Sequence, residues 1–222
     1  MASEIIMAFQ KGGIWMWAIL FFQILSVIII VERVWFLFLK RKLNYKKFAE
    51  QFAELIRKGN LQDVITRTEK AWDEEPLARA IHSGAQVALN GGGREEIQGR
   101  MDESLIVESA QLEKRTHFLV MLGNVGTLTG LLGTIIGMIK AFSAVTYANP
   151  SEKAVLLSSG ISEAMNTTAY GLIMAIPALF MFAVLQNRCN NLQEDQAQGA
   201  LRIFNLFSYK YQMVWDKKIA GK

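Results

Sequence analysis

Two uncharged apolar runs joined by a short polar loop, Phe118–Ile139 and Ala164–Asn187, constrain this chain more than any other feature. About 20 apolar residues cover the roughly 30 Å of hydrocarbon in a bilayer, so each run is long enough to span one. In the first run Gly123, Gly126, Gly130, Gly133 and Gly137 recur at alternating spacings of three and four. That spacing puts all five on one stripe of a helix. The second run carries its own stripe of Gly160, Ala164, Thr168, Gly171, Ala175 and Ala178. Small residues let membrane helices approach closely where lipid gives no hydrophobic drive to pair them.

Polar residues interrupt both runs. Thr127, Thr129 and Thr134 lie in the first; Glu163, Asn166, Thr167 and Thr168 lie at the start of the second. Such groups at lipid depth face protein or water.

With 51% hydrophobic residues among 222, the chain is too apolar and too segmented for an ordinary soluble domain. Its net charge of +4 comes from basic residues beside the apolar runs. These serve as topology signals in preference to a nucleic-acid or lipid-headgroup patch. Cys189 is the only cysteine, which excludes an intrachain disulfide and a cysteine metal site. His82 and His117 lie far apart without ligand spacing, so no metal centre is expected.

A third apolar run, Gly12–Val31, precedes Glu32 and Arg33. It is too long for a signal-peptide core and lacks a basic leader and a small-residue cleavage site, so it is expected to remain as a membrane helix. Trp15 and Trp17 at one end and Trp35 at the other suit the two interfaces. Lys40, Arg41, Lys42, Lys46 and Lys47 then place the end of this span in the cytoplasm. Lys114 and Arg115 before the second span and Arg188 after the third agree.

The expected organisation is therefore all-α, with three transmembrane helices and long cytoplasmic helical extensions. Residues 1–11 lie outside, 12–39 form the first span, and 40–117 form a cytoplasmic helical region. Residues 118–145 form the second span, 146–157 a short outside loop, 158–187 the third span, and 188–222 a cytoplasmic helical tail.

Within the cytoplasmic region, Phe48, Phe52, Leu55 and Ile56 predict a helix that Gly59 ends. Asn60 with Asp63 resembles a capping pair for the next helix, which carries Val64, Ile65 and Trp72. Pro76 opens a third helix, Leu77–Leu89. Gly91, Gly92 and Gly93 break the chain, and no phosphate-loop lysine follows them. From Arg94 the apolar set Ile97, Met101, Leu105, Val107 and Leu112 runs on into the second span without a proline stop. Leu192, Ala200, Ile203, Phe204 and Phe207 similarly extend the third span as an amphipathic helix.

No soluble-enzyme motif is present, and no cofactor is expected. If the membrane edges fall near Val145 and Leu157, Thr134 and Thr168 each lie about 11 residues in, roughly 16 Å, at the bilayer middle. A hydroxyl donates one hydrogen bond and accepts two, so it can order water or relay a proton without carrying charge. The simpler role is a bond to the carbonyl one turn back. Glu163 would stand roughly 9 Å deep, where an acid costs about 2.5–3.5 kcal/mol and marks an ion or proton path. Lys140, on the adjacent helix, either pairs with it or snorkels outward. Pro177 frees a carbonyl near Ile173 and allows a bend.

At these residues a family resemblance becomes specific. The run Gly130-Leu131-Leu132-Gly133-Thr134-Ile135-Ile136-Gly137-Met138, followed by Ala141-Phe142, resembles the second-span signature of the MotA/TolQ/ExbB proton-channel family. Gly160-Ile161-Ser162-Glu163-Ala164-Met165, with Thr168-Ala169, Gly171-Leu172 and Ala175-Ile176-Pro177, is similar to its third-span signature. Glu32-Arg33 after the first span also fits, and the three-span plan matches the ExbB/TolQ branch. The MotA branch has four spans and a larger cytoplasmic domain. Lys140 departs from the pattern, where relatives often hold a neutral residue.

The resemblance implies a proton-channel or stator subunit of the bacterial inner membrane, with its amino terminus in the periplasm. It implies a homopentamer around a central pore, holding a dimer of an ExbD/TolR-like single-span partner that carries the proton-bearing aspartate. Thr134 and Thr168 match the family's pore-lining threonines and Glu163 its third-span glutamate. Asn166, Thr167 and Thr127 join the expected pathway. The small-residue stripes make Gly126, Gly130, Gly133, Gly137, Gly171 and Ala175 the expected packing positions within and between subunits. The work would pass to a TonB-like, TolA-like or gliding-type machine. A passive scaffold would need the small stripes without the polar cluster. A small-solute transporter would show broken helices and inverted repeats, and neither is visible.

Overall fold

The structure, a computed structural model, describes residues 13–40, 45–72 and 75–220. The expected outside stretch 1–11 and the basic residues Arg41 and Lys42 lie outside the described residues. Described residues form an all-helical chain: α1 (Gly13–Val34), a π-helical stretch (Trp35–Lys40), α2 (Tyr45–Lys58), α3 (Leu61–Lys70), α4 (Pro76–Leu89), α5 (Arg94–Glu113), α6 (Phe118–Tyr147) and α7 (Pro150–Ala220). Three stretches are long and apolar enough to cross a membrane: Gly13–Leu39, Arg94–Tyr147 and Pro150–Tyr209. Only Ala148 and Asn149 separate α6 from α7, so most of the segment 146–157 is helical.

The chain divides into two compact units, Met1–Phe36 with Arg115–Gln186 and Leu37–Lys114 with Asn187–Lys222. In the first, α1, α6 and the opening part of α7 pack through small residues and leave large apolar side chains on the outside. Ile14, Phe21, Val31, Leu128, Ile139, Met165, Ile176 and Phe180 are all more than half exposed, the inverse of a soluble bundle.

The second unit is a conventional core. Phe52, Ile56, Val64, Leu77, Ile81, Ile97, Met101, Leu192, Ile203 and Phe207 are buried. Its helices end as the glycines require. Gly59 takes φ +81° and Gly91 φ +78°, which close α2 and α4 at no steric cost. In each case the two amide groups after the helix donate back into its last turn: Asn60 N to Leu55 O at 3.0 Å, and Gly92 N to Val87 O at 2.9 Å. Pro76 opens α4 at its first turn. Asn60 does stand at the start of α3, but its side chain caps nothing; Nδ2 donates to Asp63 Oδ2 at 2.6 Å.

Two departures from the sequence pattern appear. The helix that begins at Arg94 does not run unbroken into the second span; a turn at Lys114–His117 divides α5 from α6. Arg115 adopts φ +66°, which residues other than glycine rarely do. Its Nη1 donates to both carboxylate oxygens of Glu32, at 2.6 and 2.7 Å, and so fixes the turn against α1. The buried face of α5 is also shifted. Val107 is exposed, and Glu108, 1% exposed, takes its place at the correct helical spacing between Met101 and Leu112.

Glu108 is tolerated there because Arg79 Nη1 donates to its Oε1 at 2.6 Å. Arg79 also holds the carbonyl of Trp72 through Nε at 3.0 Å. Losing a charge-assisted bond costs about 1–3 kcal/mol when it leaves a part-buried group behind. We therefore expect Glu108→Ala to speed hydrogen exchange of the α4 and α5 amides by roughly tenfold to hundredfold. Arg100→Ala, which removes an exposed pair with Glu103, is expected to leave those amides unchanged.

Candidate functional site

The site lies in the first unit, where α6 and α7 come closest. The glycine stripe makes that approach possible. A Cβ at Gly130 would lie 3.1 Å from Thr167 O and 3.2 Å from Gly171 Cα. A Cβ at Gly171 would lie 2.8 Å from Gly126 O. At Gly137 it would meet Ala164, at Gly126 the Met174 side chain, and at Gly123 Leu179. Ala175 is buried beside the same line. Along the stripe Gly130, Gly137 and Gly171 meet backbone of the facing helix, Gly126 and Gly133 face the Met174 and Thr167 side chains, and Ala175 is buried, all within one chain.

On the edge of this seam Thr134 of α6 and Thr168 of α7 are half-buried, and their hydroxyls hydrogen-bond to each other. Thr134 Oγ1 also lies 3.1 Å from Ala164 O across the seam and 3.2 Å from its own helix's Gly130 O. Thr168 Oγ1 lies 3.2 Å from the same Gly130 O. Each hydroxyl has one proton to give. Together they have two protons and more acceptors than those protons can fill at once. Such a pair can exchange donor and acceptor roles by rotating about the Cβ–Oγ bond, which is what a neutral proton relay requires.

The other expected pathway residues are placed differently. Thr127 Oγ1 donates to Gly123 O at 3.0 Å and Thr167 Oγ1 to Glu163 O at 2.9 Å, each one turn back on its own helix. Thr129 does the same with Val125. Thr167 is 1% exposed, with its methyl group against Gly133, so it fills the seam. Asn166 is half-buried on α7. Glu163 is half-buried one turn beyond the hydroxyl pair. Lys140 is exposed, and among the described residues no ion pair joins it to Glu163. α7 continues through Pro177 without interruption.

Neighbouring contacts give the height of the site along α1. Arg115 meets Glu32 near one end. Tyr170 OH donates to Gln23 Oε1 at 2.5 Å near the middle. Glu163 approaches Gly13, and Gly133 approaches Trp15, at the other end. The hydroxyl pair is therefore level with the first described turn of α1. Among the described residues no group of three or more His, Cys, Asp or Glu side chains gathers as a metal site.

Comparison with known proteins bears on these same helices. The MotA/TolQ/ExbB proton channel family matches residues 72–198, which take in α4, α5, α6 and most of α7 before its tail. The chain belongs to the MotA/TolQ/ExbB proton channel family. It is similar to the biopolymer transport ExbB-like protein 1 of Synechocystis sp., with 28% identity over 212 residues, 93% of this chain and 79% of that one. It is also similar to the biopolymer transport protein exbB1 of Vibrio cholerae, with 28% identity over 180 residues, 77% of this chain and 74% of that one. With the Tol-Pal system protein TolQ of Haemophilus influenzae it shares 36% identity over 88 residues, 40% of this chain and 38% of TolQ. The family is one of membrane proteins, which agrees with the three apolar helices.

Proposed function

We propose that this chain is the channel-forming subunit of an inner-membrane motor that turns proton-motive force into mechanical work on the cell envelope. The observation that carries the proposal is the hydroxyl pair of Thr134 and Thr168, joined across a seam where Gly130 and Gly171 bring the two backbones together. A scaffold needs the seam but has no use for a polar pair set at its edge.

In this reading five copies surround a pore lined by α6 and α7, and a dimer of an ExbD/TolR-like single-span partner occupies it. The amino terminus is periplasmic. The basic flank at Lys40–Lys47 and the tail beyond Arg188 are cytoplasmic. A proton from outside meets Glu163, then the hydroxyls of Thr134 and Thr168, then an aspartate of the partner. Asn166 and Thr127 border the same path, and Pro177 allows α7 to bend. One charge crossing 100 mV releases about 2.3 kcal/mol, enough to bias a mechanical step. A TonB-like, TolA-like or gliding-type protein would receive the work.

Proteoliposomes test this reading. Vesicles holding the chain with its single-span partner are expected to take up protons under an imposed potential, and vesicles holding the chain alone are not. Glu163→Gln keeps size and hydrogen bonding but removes the charge, and is expected to lower the flux at least tenfold, the usual scale for a positioned acid or base. Equal flux with and without the partner would overturn the shared-pore arrangement.

A further inference from the structure

The first turn of α1 forms one wall of the polar cluster. Gly13 has φ +67°, and a Cβ built there would lie 2.7 Å from Glu163 Oε1 and 3.8 Å from its Cδ. The Glu163 carboxylate therefore occupies the space that a side chain at residue 13 would fill. Two residues along, Trp15 Cβ lies 3.3 Å from the place of a Cβ at Gly133, which in turn faces the Thr167 methyl. All three spans thus meet at one level, with Glu163 between the start of α1 and the body of α7.

We propose that Gly13 is a positioning residue for Glu163: its bare backbone gives the carboxylate its place, one turn beyond the hydroxyl pair, and ties that place to the first span. The functional weight of this inference rests on the reading of Glu163 as part of the proton path. The atom in the way is the far end of a flexible side chain. Space for an added methyl group at residue 13 is made by the carboxylate swinging aside, and the φ of +67° adds a backbone strain of its own, which asparagine bears more readily than alanine. Any shift of α1 would move the carboxylate in the same way, so the first span becomes a part of the channel that can report or set its state.

The test reads Glu163 directly. The assembled chain and partner, in proteoliposomes at one fixed pH, are treated with a hydrophobic carbodiimide, and the rate of modification at Glu163 is followed by peptide mass. Gly13→Ala adds the methyl group. Gly13→Asn adds a side chain that accepts the left-handed backbone more readily. Both are expected to change the modification rate at Glu163 several-fold and to lower proton flux about tenfold, the scale on which ångström misplacements act. An unchanged rate at Glu163 in both variants overturns the proposal, whatever the flux does. A changed rate with parental flux supports the positioning role and shows instead that Glu163 is off the proton path. If Gly13→Ala prevents assembly, its strained φ alone accounts for that, and Gly13→Asn decides: a several-fold change in the modification rate at Glu163 supports the proposal and an unchanged rate overturns it.

Discussion

Gly171→Leu is expected to abolish the folded protein in the membrane. A Cβ at Gly171 meets Gly126 O at 2.8 Å, Gly130 Cα at 3.1 Å and Gly130 N at 3.5 Å. All three atoms are backbone, so nothing can rotate away. The only relief is to separate α6 from α7, and that separation also breaks the Thr134–Thr168 contact. Overpacking a well-fitted core costs about 1–3 kcal/mol, and a leucine against fixed backbone belongs at the top of that range or above it. Folded proteins have only about 5–15 kcal/mol to lose. Neighbouring glycines set a graded comparison. At Gly126 the obstructing atoms belong to the flexible Met174 side chain, so Gly126→Ala is expected to be milder than Gly171→Ala. At Gly99 nothing lies within 4 Å, so Gly99→Ala is expected to be silent. Membrane yield and size-exclusion profile would rank the variants. Parental behaviour of Gly171→Leu would mean that the seam is not the contact that holds the spans together.

The seam was legible because periodicity alone defines it. Glycines at alternating spacings of three and four can only face one way, and the structure uses them that way. The Thr134–Thr168 contact was legible for a related reason: two apolar helices joined by a short loop run antiparallel side by side, so polar residues beside their small-residue stripes meet across the seam. The break at Arg115 was not legible. No glycine or proline marks it, and the bidentate contact to Glu32 that holds it comes from far away in the chain. The burial of Glu108 was hidden likewise, since a carboxylate on a core face makes sense only once Arg79 is opposite. Glu163 was visible as an acid near an apolar run, with Lys140 either pairing with it or snorkelling outward. In the structure Lys140 is exposed, and the carboxylate lies against Gly13 at the start of α1, a neighbour that no spacing in the sequence points to. Gln23, a lone amide in an apolar run, could have been flagged as needing a partner; Tyr170 supplies it. Thr127 and Thr167 show the limit of counting hydroxyls. Both bond within their own helices, and only position across the seam separates them from Thr134 and Thr168.

The second large effect is expected at that pair. Thr134→Val with Thr168→Val keeps the branched shape and removes both hydroxyls. The carbonyls of Gly130 and Ala164 lose a cross-seam donor but remain within helices, so the stability cost is about 1 kcal/mol for each bond lost. Assembly is therefore expected to survive while the relay does not. The loss to proton flow should far exceed the loss to stability, because a valine side chain has no proton to pass and no lone pair to receive one. Each single variant leaves one hydroxyl with carbonyl acceptors but no hydroxyl partner, and should fall between parent and double variant.

The measurement is proton flux into proteoliposomes holding the Thr134→Val/Thr168→Val chain with its partner, at matched protein content and oligomeric state. The account predicts a flux at least about tenfold below the parent, within the usual range for removing a positioned proton-transfer group. Parental flux in the double variant would contradict it, and would leave the two threonines as packing residues at the edge of the glycine seam.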